Sequence, residues 1–308
     1  MSNVSPELLV VAHDAGGANI LQAWVCKNAG DYRITLLTKG PASTIFENVE
    51  GCRRVKSFAD LSGQIERVIT GTSVPGGLEL SAVEWAQENN IGSVAFLDHW
   101  CRYLDRFKWR DGYLFPDEVW VGDAYAYDLA LELPIAKERV VQKENPYFES
   151  VRSFTTTKFP TPGRPLRLLY CFETLRESHV ARFGALASRY DDEFDVLQAL
   201  LRVVAPCADA ITHFTFRLHP SEPPLKYENV LRDLGSDFSC SVSTNTSLLE
   251  DVADHDVIVG VETMALVIGL LMGKRAYSFR SGRAYSRVLP FTEIGDNHSF
   301  KTLLREHL

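Results

Sequence analysis

The sequence predicts an α/β protein made of two Rossmann-like domains with a central cleft. Short runs rich in Val, Ile and Leu recur along the chain, and helical segments separate them. That alternation is typical of βαβ units and of a mostly parallel sheet. It lapses once, near the middle of the chain, and 308 residues suffice for two domains of ordinary size.

Strand and helix signals alternate through the first half of the chain. The predicted strands are residues 8–12, 33–37, 67–70, 93–97 and 118–121. Helices are predicted from the turn after Ala12 through Trp24, and over residues 80–89. Together these elements define an N-terminal Rossmann-like domain over residues 1–150.

A connector separates this domain from the second one. Residues 153–165 are rich in Pro, Thr and basic residues, which suits an extended segment, so we predict a linker over 151–165. The alternation then resumes as a C-terminal Rossmann-like domain, residues 166–308. Its predicted strands are residues 166–170, 215–218, 257–259 and 275–279, and its predicted helices are residues 193–204, 247–252 and 264–272.

The composition excludes several classes of protein. A net charge of −8 disfavours nucleic acid as a partner and allows at most peripheral contact with a membrane. No apolar run reaches the roughly 20 residues that span a bilayer, and we expect no signal peptide. Six scattered cysteines without a CxxC pair indicate reduced thiols in a cytoplasmic protein and no zinc site. No DxD motif is present, and nothing in the sequence requires a metal.

The turn after the first strand carries candidate catalytic residues. His13 and Asp14 precede Gly16 and Gly17 at a predicted strand end. Paired glycines let a backbone approach a ligand closely, and the N–H groups at a helix start favour an anion. His13 would act as a base or as a hydrogen-bond donor. The alternative is a tight turn with Asp14 as the helix N-cap.

A second polar cluster follows the strand over residues 93–97. Asp98 and His99 can share or relay a proton, and the aromatic and arginine side chains that follow suit a ligand pocket. The carboxyl ends of parallel strands line the ligand crevice of an open sheet, which favours a site here. The alternative is a surface helix whose aromatic residues pack inward.

Candidate nucleotide-binding residues lie at two strand ends of the second half. Arg217 and His219 end one strand, and Pro220 fixes the turn that follows. Glu262 and Thr263 open a helix after another strand, where N–H groups and a hydroxyl can meet a phosphate and Glu262 can accept from ribose. The alternatives are a histidine that caps a turn and ordinary helix-capping residues.

Basic residues after the last predicted strand extend this candidate site. Arg280, Arg283 and Arg287 stand beside small residues, which suits recognition of phosphate or carboxylate. The alternative is a solvated basic loop. Glu173 and Arg176 follow the first strand of the second half and are weaker candidates.

Three segments resemble the nucleotide-binding half of GT-B enzymes. They are residues 218–220, 249–260 and 270–278. The resemblance is to bacterial surface-carbohydrate enzymes: sialyl- and Kdo-transferases, glycerophosphotransferases and sugar-nucleotide 2-epimerases. In that family a His-Pro turn and a Ser/Thr-rich helix start hold the nucleotide phosphates. Here only Thr263 keeps a hydroxyl at the helix start.

The resemblance implies an enzyme that uses a nucleotide-activated sugar, linked to CMP, UDP or CDP, without a cofactor. It would transfer the sugar to a glycan or lipid-linked acceptor in surface polysaccharide or capsule biosynthesis. His219, Glu262 and Thr263 would hold the nucleotide, while His13 or Asp14, with Asp98 and His99, would do the chemistry. Two alternatives stay open: a hydrolase or epimerase of the same fold, and a non-catalytic protein that closes on a ligand.

Overall fold

The chain forms two compact units, Met1–Ser150 and Val151–Leu308. The computed structural model describes residues 6–154, 159–177, 180, 192–220, 222–223, 225–234, 239–245, 247–281 and 287–308. Each unit has a parallel sheet and an apolar core of its own.

The first unit is built on a seven-stranded parallel sheet with strand order β3-β2-β1-β4-β5-β8-β9. Its strands are β1 (Glu7–Ala12), β2 (Arg33–Thr38), β3 (Arg53–Arg54), β4 (Ile65–Thr70), β5 (Gly92–Phe96), β8 (Glu118–Val121) and β9 (Val140–Gln142), and β6 (Lys108–Trp109) pairs with β7 (Gly112–Tyr113) as a separate hairpin. Its helices are α1 (Ala15–Asn28), α2 (Pro41–Ile45), α3 (Leu78–Glu88), α4 (Tyr103–Arg106), α5 (Ala124–Ala130) and α6 (Pro146–Arg152).

Strand β1 is the centre of this unit, since β2 and β4 flank it and all six of its residues are buried. Successive side chains of a strand point to opposite faces of the sheet. Leu8 and Val10 accordingly join the core formed with α1, and Leu9 and Val11 join the core formed with α3. Burial on both faces explains the continuous apolar run that predicted the strand.

The second unit repeats this plan with a five-stranded parallel sheet in the order β12-β11-β10-β13-β14. Its strands are β10 (Leu166–Cys171), β11 (Ile211–Arg217), β12 (Cys240–Val242), β13 (Val257–Gly260) and β14 (Arg275–Ser278), and its helices are α7 (Glu193–Val204), α8 (Glu228–Leu234), α9 (Leu248–Asp254), α10 (Met264–Leu271) and α11 (Asn297–Glu306). The core is strongly aromatic, with Tyr170, Phe214, Phe216 and Phe300 almost fully buried.

The segment predicted as a linker is more ordered than an extended connector. Helix α6 continues through Arg152, so residues 151 and 152 are helical. Beyond residues 155–158, which lie outside the described residues, the chain lies against the second unit. The Phe159 ring packs edge-on against His307, and the Arg164 carbonyl accepts a hydrogen bond from the His307 ring at 2.6 Å. The Pro-rich composition did not predict these contacts, because their partner, His307, lies at the far end of the chain.

The described residues contain no helix with the length and apolar character needed to cross a bilayer. All six cysteines are free thiols. Burial raises the pKa of the Cys171 thiol to about 12, so this thiol is a structural part of strand β10.

Candidate active site

The carboxyl ends of β1, β4 and β5 form one edge of the first sheet, where polar side chains collect. These three strands are neighbours in the order β1-β4-β5. The glycine turn follows β1, Thr72 follows β4 and Asp98 follows β5. Parallel strands present their carboxyl ends to the same edge, so residues from three separate segments meet there.

Asp98 is held at this edge by a buried ion pair with Arg106. The Arg106 Nη1 donates to Asp98 Oδ1 at 2.5 Å, and the two side chains are only 9% and 13% exposed. Arg106 also donates to the Thr72 hydroxyl at 2.7 Å, and that hydroxyl lies 3.3 Å from Asp98 Oδ1. Within the described residues, Asp98 Oδ2 accepts no hydrogen bond. Among these residues, this oxygen therefore keeps its capacity to accept a hydrogen bond.

The glycine turn lies directly against this carboxylate. A Cβ on Gly16 would be 1.8 Å from Asp98 Oδ2, and a Cβ on Gly17 would be 3.0 Å from the Gly71 Cα. At Gly16 and Gly17, the backbone of helix α1 therefore lies directly against Asp98 and the loop after β4, with no side chain between them. The sequence placed Gly16 and Asp98 in separate clusters, and the structure makes them neighbours.

This contact predicts the effect of a single methyl group. Gly16→Ala would drive the Asp98 carboxylate from its place beside Arg106, so we expect a loss of about 1–3 kcal/mol in the free energy of unfolding, as for other overpacked sites. The matched control is Gly30→Ala, because nothing lies within 4 Å of a Cβ on Gly30. Urea unfolding of both variants measures the difference, and equal stabilities would contradict the contact.

His13 and Asp14 form a half-exposed pair beside this edge. His13 Nδ1 lies 2.7 Å from Asp14 Oδ1, and both side chains are a little under half exposed. Asp14 occupies the N-cap position of α1, but its side chain bonds to the imidazole and makes no cap hydrogen bond. A neutral imidazole that donates from Nδ1 to the carboxylate leaves Nε2 as the acceptor. This geometry suits a general base at Nε2.

Buried Glu79, at the start of α3, fixes the backbone of this pair. Its Oε1 accepts from the His13 N–H at 2.8 Å, and its Oε2 accepts from the Ser73 hydroxyl at 3.0 Å. Sequence reasoning missed Glu79 because an acidic residue in the first turn of a helix is ordinary. Thr72 gave no signal either, since no strand-to-helix turn motif surrounds it.

His99 lies next to Asp98 and is partly buried like it. Its Nδ1 accepts from the Trp100 N–H at 2.9 Å, and burial lowers its pKa although the neighbouring Asp98 opposes that shift. The imidazole is therefore neutral at physiological pH. Trp100 is buried and donates from its indole N–H to both oxygens of Asp123, at 3.1 and 2.9 Å. His99 is thus next to a tryptophan whose side chain is held by burial and by hydrogen bonds to Asp123.

In the second unit, the turn between β13 and α10 already binds an anionic group. The N–H groups of Val261 and Glu262 donate to Glu173 Oε2 at 2.9 and 2.8 Å. Glu173 follows β10, the neighbour of β13 in the sheet. Thr263 caps α10 by accepting from the Ala265 N–H at 3.2 Å. The N–H groups predicted for a phosphate are therefore able to bind an anion, here a carboxylate.

Glu262 is buried beside this turn and is fully engaged within its own unit. Its Oε2 accepts from the N–H groups of Val288 and Leu289 at 3.0 and 2.8 Å, and its Oε1 pairs with Arg280. The carboxylate therefore holds the segment that follows β14 and also places the Arg280 guanidinium. Both oxygens therefore have partners within the unit, and the hydrogen bond to a ribose hydroxyl stays a prediction.

Arg217 and His219 end β11, on the other side of β10. Arg217 forms an ion pair with the buried Asp251 and donates to the carbonyls of Asn245 and Ser247. It therefore organises the loop after β12, a structural role that sequence reasoning did not assign. Burial lowers the pKa of His219, and the nearby carboxylates of Glu222 and Glu177 oppose this shift.

The predicted residues of the second unit thus fall into two groups. Glu262, Thr263 and Arg280 meet at the turn that holds Glu173, while Arg217 and His219 follow the strand two positions away. Arg283 lies outside the described residues, and Arg287 donates to the backbone carbonyls of Phe291 and Ile294. Arg176, also a weaker candidate, pairs with Asp192 at the start of α7.

One group of three carboxylates in the described parts of the chain has the spacing to hold a cation: Glu177, Glu193 and Glu222. The Lys226 ammonium lies among them, at 3.0, 2.5 and 2.8 Å from the three side chains. The lysine therefore already acts as their counter-ion.

Solved structures share the fold of this chain. UDP-GlcNAc 2-epimerase from Methanocaldococcus jannaschii has a TM-score of 0.56 and 12% identity, over 88% of this chain and 83% of that chain. The S. aureus MnaA–UDP co-structure has a TM-score of 0.61 and 10% identity, over 90% and 80% of the two chains. UDP-GlcNAc 2-epimerase from Neisseria meningitidis bound to UDP-GlcNAc has a TM-score of 0.56 and 8% identity, over 88% and 82%.

The chain has the GT-B fold. At such low identities the similarity establishes the fold alone, and it confirms the predicted fold class of two α/β units with parallel sheets. No protein-family model matches the sequence, and no curated protein matches it.

Proposed function

We propose that this chain is an enzyme acting on a nucleotide-activated sugar linked to UDP, CDP or CMP. The observation that carries the proposal is the turn before α10, whose N–H groups hold a carboxylate at 2.8 and 2.9 Å. Phosphate oxygens use the same kind of donor at helix starts. Structures of the same fold include one with UDP and one with UDP-GlcNAc bound, which supports a nucleotide sugar as the substrate.

In this proposal the second unit binds the nucleotide. The Thr263 hydroxyl accepts from Ala265 and keeps its own proton to donate to a phosphate. Strands β11 and β13 lie on either side of β10, so the strands that lead to His219 and to the α10 turn are about 10 Å apart at the usual spacing of strands. N–H groups and Arg280 would neutralise the phosphates, so the proposed reaction uses no metal or cofactor.

The first unit would supply the acid–base groups. His13 Nε2, fixed as an acceptor by Asp14, would remove a proton from an acceptor hydroxyl. Asp98 Oδ2 and the neutral His99 would orient the reacting hydroxyls. The acceptor in this proposal is a glycan or lipid-linked glycan of a surface polysaccharide or capsule. The reaction would take place in the cytoplasm, a reducing compartment that suits six free thiols.

Epimerisation at the sugar ring is the second candidate. The likeness to UDP-GlcNAc 2-epimerases favours it. Incubation with UDP-GlcNAc in the absence of an acceptor separates the reactions. An epimerase yields a second UDP-sugar, a hydrolase releases the nucleotide, and a transferase leaves the donor intact until a glycan is added.

Nucleotide binding is the first test of the proposal. We expect UDP, CDP or CMP to stabilise the protein by about 2.7 kcal/mol at a hundredfold excess over its dissociation constant. A thermal-shift series with these nucleotides and GDP measures the effect. A chain that none of them stabilises would contradict the proposal and favour a binder of another ligand.

The Thr263 hydroxyl gives this test a single-atom control. We expect Thr263→Val to weaken nucleotide binding by roughly tenfold or more, because a hydrogen bond to a charged group contributes about 1.5–3 kcal/mol. Thr263→Ser keeps the hydroxyl and should keep the affinity. Isothermal titration calorimetry with the nucleotide that binds best measures both variants, and equal losses in both would place the phosphate elsewhere.

A further inference from the structure

The most unusual contact in the second unit is a carboxylate seated where the proposed phosphate would bind. Glu173 Oε2 accepts from two consecutive N–H groups, those of Val261 and Glu262, in the turn that precedes α10 and its N-cap, Thr263. Glu173 reaches this turn from the end of the adjacent strand, β10. An intramolecular carboxylate therefore occupies the anion position of the turn.

One set of N–H groups cannot serve this carboxylate and a phosphate at once. Two anions at one helix start would also repel each other in a poorly solvated place. A ligand phosphate therefore requires Glu173 to leave the turn.

The charged groups around Glu173 fit a carboxylate that can be released. Burial raises the pKa of Glu173 to about 7, and the N–H groups and the Arg280 guanidinium limit the rise. The other titratable groups that face it are Tyr170 and Cys171 on β10, whose pKa values burial also raises. Arg280 forms an ion pair with Glu262, and its positive charge also favours the ionised form of Glu173.

We propose that Glu173 is an internal competitor that blocks the phosphate position of α10 until a ligand displaces it. The proposal rests on the proposed function and adds regulation to the same site. In the free protein the carboxylate satisfies the N–H groups of Val261 and Glu262 and excludes weakly bound anions. A diphosphate, with more oxygens and charge, replaces it. The blocked state should weaken as pH rises, because burial disfavours the ionised form of Glu173 and release into solvent favours it.

Inorganic pyrophosphate and UDP, titrated separately into the full-length protein at pH 6 and pH 8, test this proposal. We expect Glu173→Ala to bind pyrophosphate roughly tenfold or more tightly than the wild type at pH 6, with a smaller gain at pH 8. Glu173→Ser, whose shorter side chain cannot occupy the same position, should give a gain in the same direction and serves if the alanine variant fails to fold. Exposed Glu250→Gln controls for the lost negative charge and should bind like the wild type.

The two probes separate this proposal from the proposed function. Pyrophosphate binding that is equal in the wild type and both Glu173 variants, or absent from all three, would overturn the competitor role. Tighter pyrophosphate binding by the variants supports the competitor role even if UDP binds to none of the three proteins. That pattern would contradict only the proposal that the ligand is a nucleotide. If the wild type binds UDP and the variants bind it with the same affinity, the proposed function is supported and the competitor role of Glu173 is contradicted.

Discussion

Asp98→Ala should lower the free energy of unfolding by about 3–5 kcal/mol, because it leaves the buried charge of Arg106 without its partner. Arg106 is 9% exposed and has Asp98 as its carboxylate partner at 2.5 Å. The Thr72 hydroxyl, an uncharged acceptor, cannot replace that carboxylate. Urea unfolding monitored by circular dichroism measures the loss.

The same chain offers a matched control for this ion pair. Arg102 and Asp105 lie 2.9 Å apart, with side chains 38% and 51% exposed. An exposed pair contributes at most about 1 kcal/mol, so Asp105→Ala should be close to neutral. Similar losses in the two variants would show that Asp98 and Arg106 are solvated, and would remove the basis for a fixed Asp98 Oδ2.

Glu173→Gln should remove a pH dependence of stability worth about 3 kcal/mol. Burial raises the pKa of Glu173 from 4.5 to about 7 in the folded protein. Between these values the folded state holds a proton that the unfolded state has lost. The wild type should therefore lose stability as pH rises from about 4.5 to 7, and the glutamine variant should not lose this contribution.

Urea unfolding at pH 5 and pH 8 measures this difference. The glutamine variant should gain stability relative to the wild type at pH 8, while the exposed Glu250→Gln should track the wild type at both values. A wild type that loses stability toward pH 5 relative to Glu173→Gln would reverse the sign and show that the N–H groups and Arg280 outweigh burial.

The strands that form the sheet centres could be predicted because each contains a short run of buried, mostly apolar residues. Every predicted strand overlaps an observed one, including β1, β10 and β13. The start of β11 was missed because Thr212 and His213 interrupt its apolar pattern. Helix α11 was missed as well, since its capping residue, Asp296, follows a loop without a clear apolar period. Short edge strands such as β3 give too little pattern to detect.

The sequence indicated which residues were candidates for the site, but it did not predict which residues they contact. Strand ends marked His13, Asp98 and Thr263 because polar residues follow apolar runs there. Arg106, the partner of Asp98, lies only eight residues further along in the same polar cluster, whereas Glu79, which accepts from the His13 N–H, lies 66 residues away. Spacing along a sequence carries no information about a pair as distant as the second. The same limit concealed the role of Glu173, whose donors are 88 and 89 residues away along the chain.

The contact between Gly17 and Gly71 limits which amino acids can occupy these two positions of the first unit. A Cβ on either glycine would lie 3.0–3.1 Å from the backbone of the other, so the two segments touch main chain to main chain. Such a contact has no rotamers and cannot be repacked by exchanging one side chain for another. Sequences that fold into this unit would therefore keep Gly17 and Gly71 and vary in the loops around them.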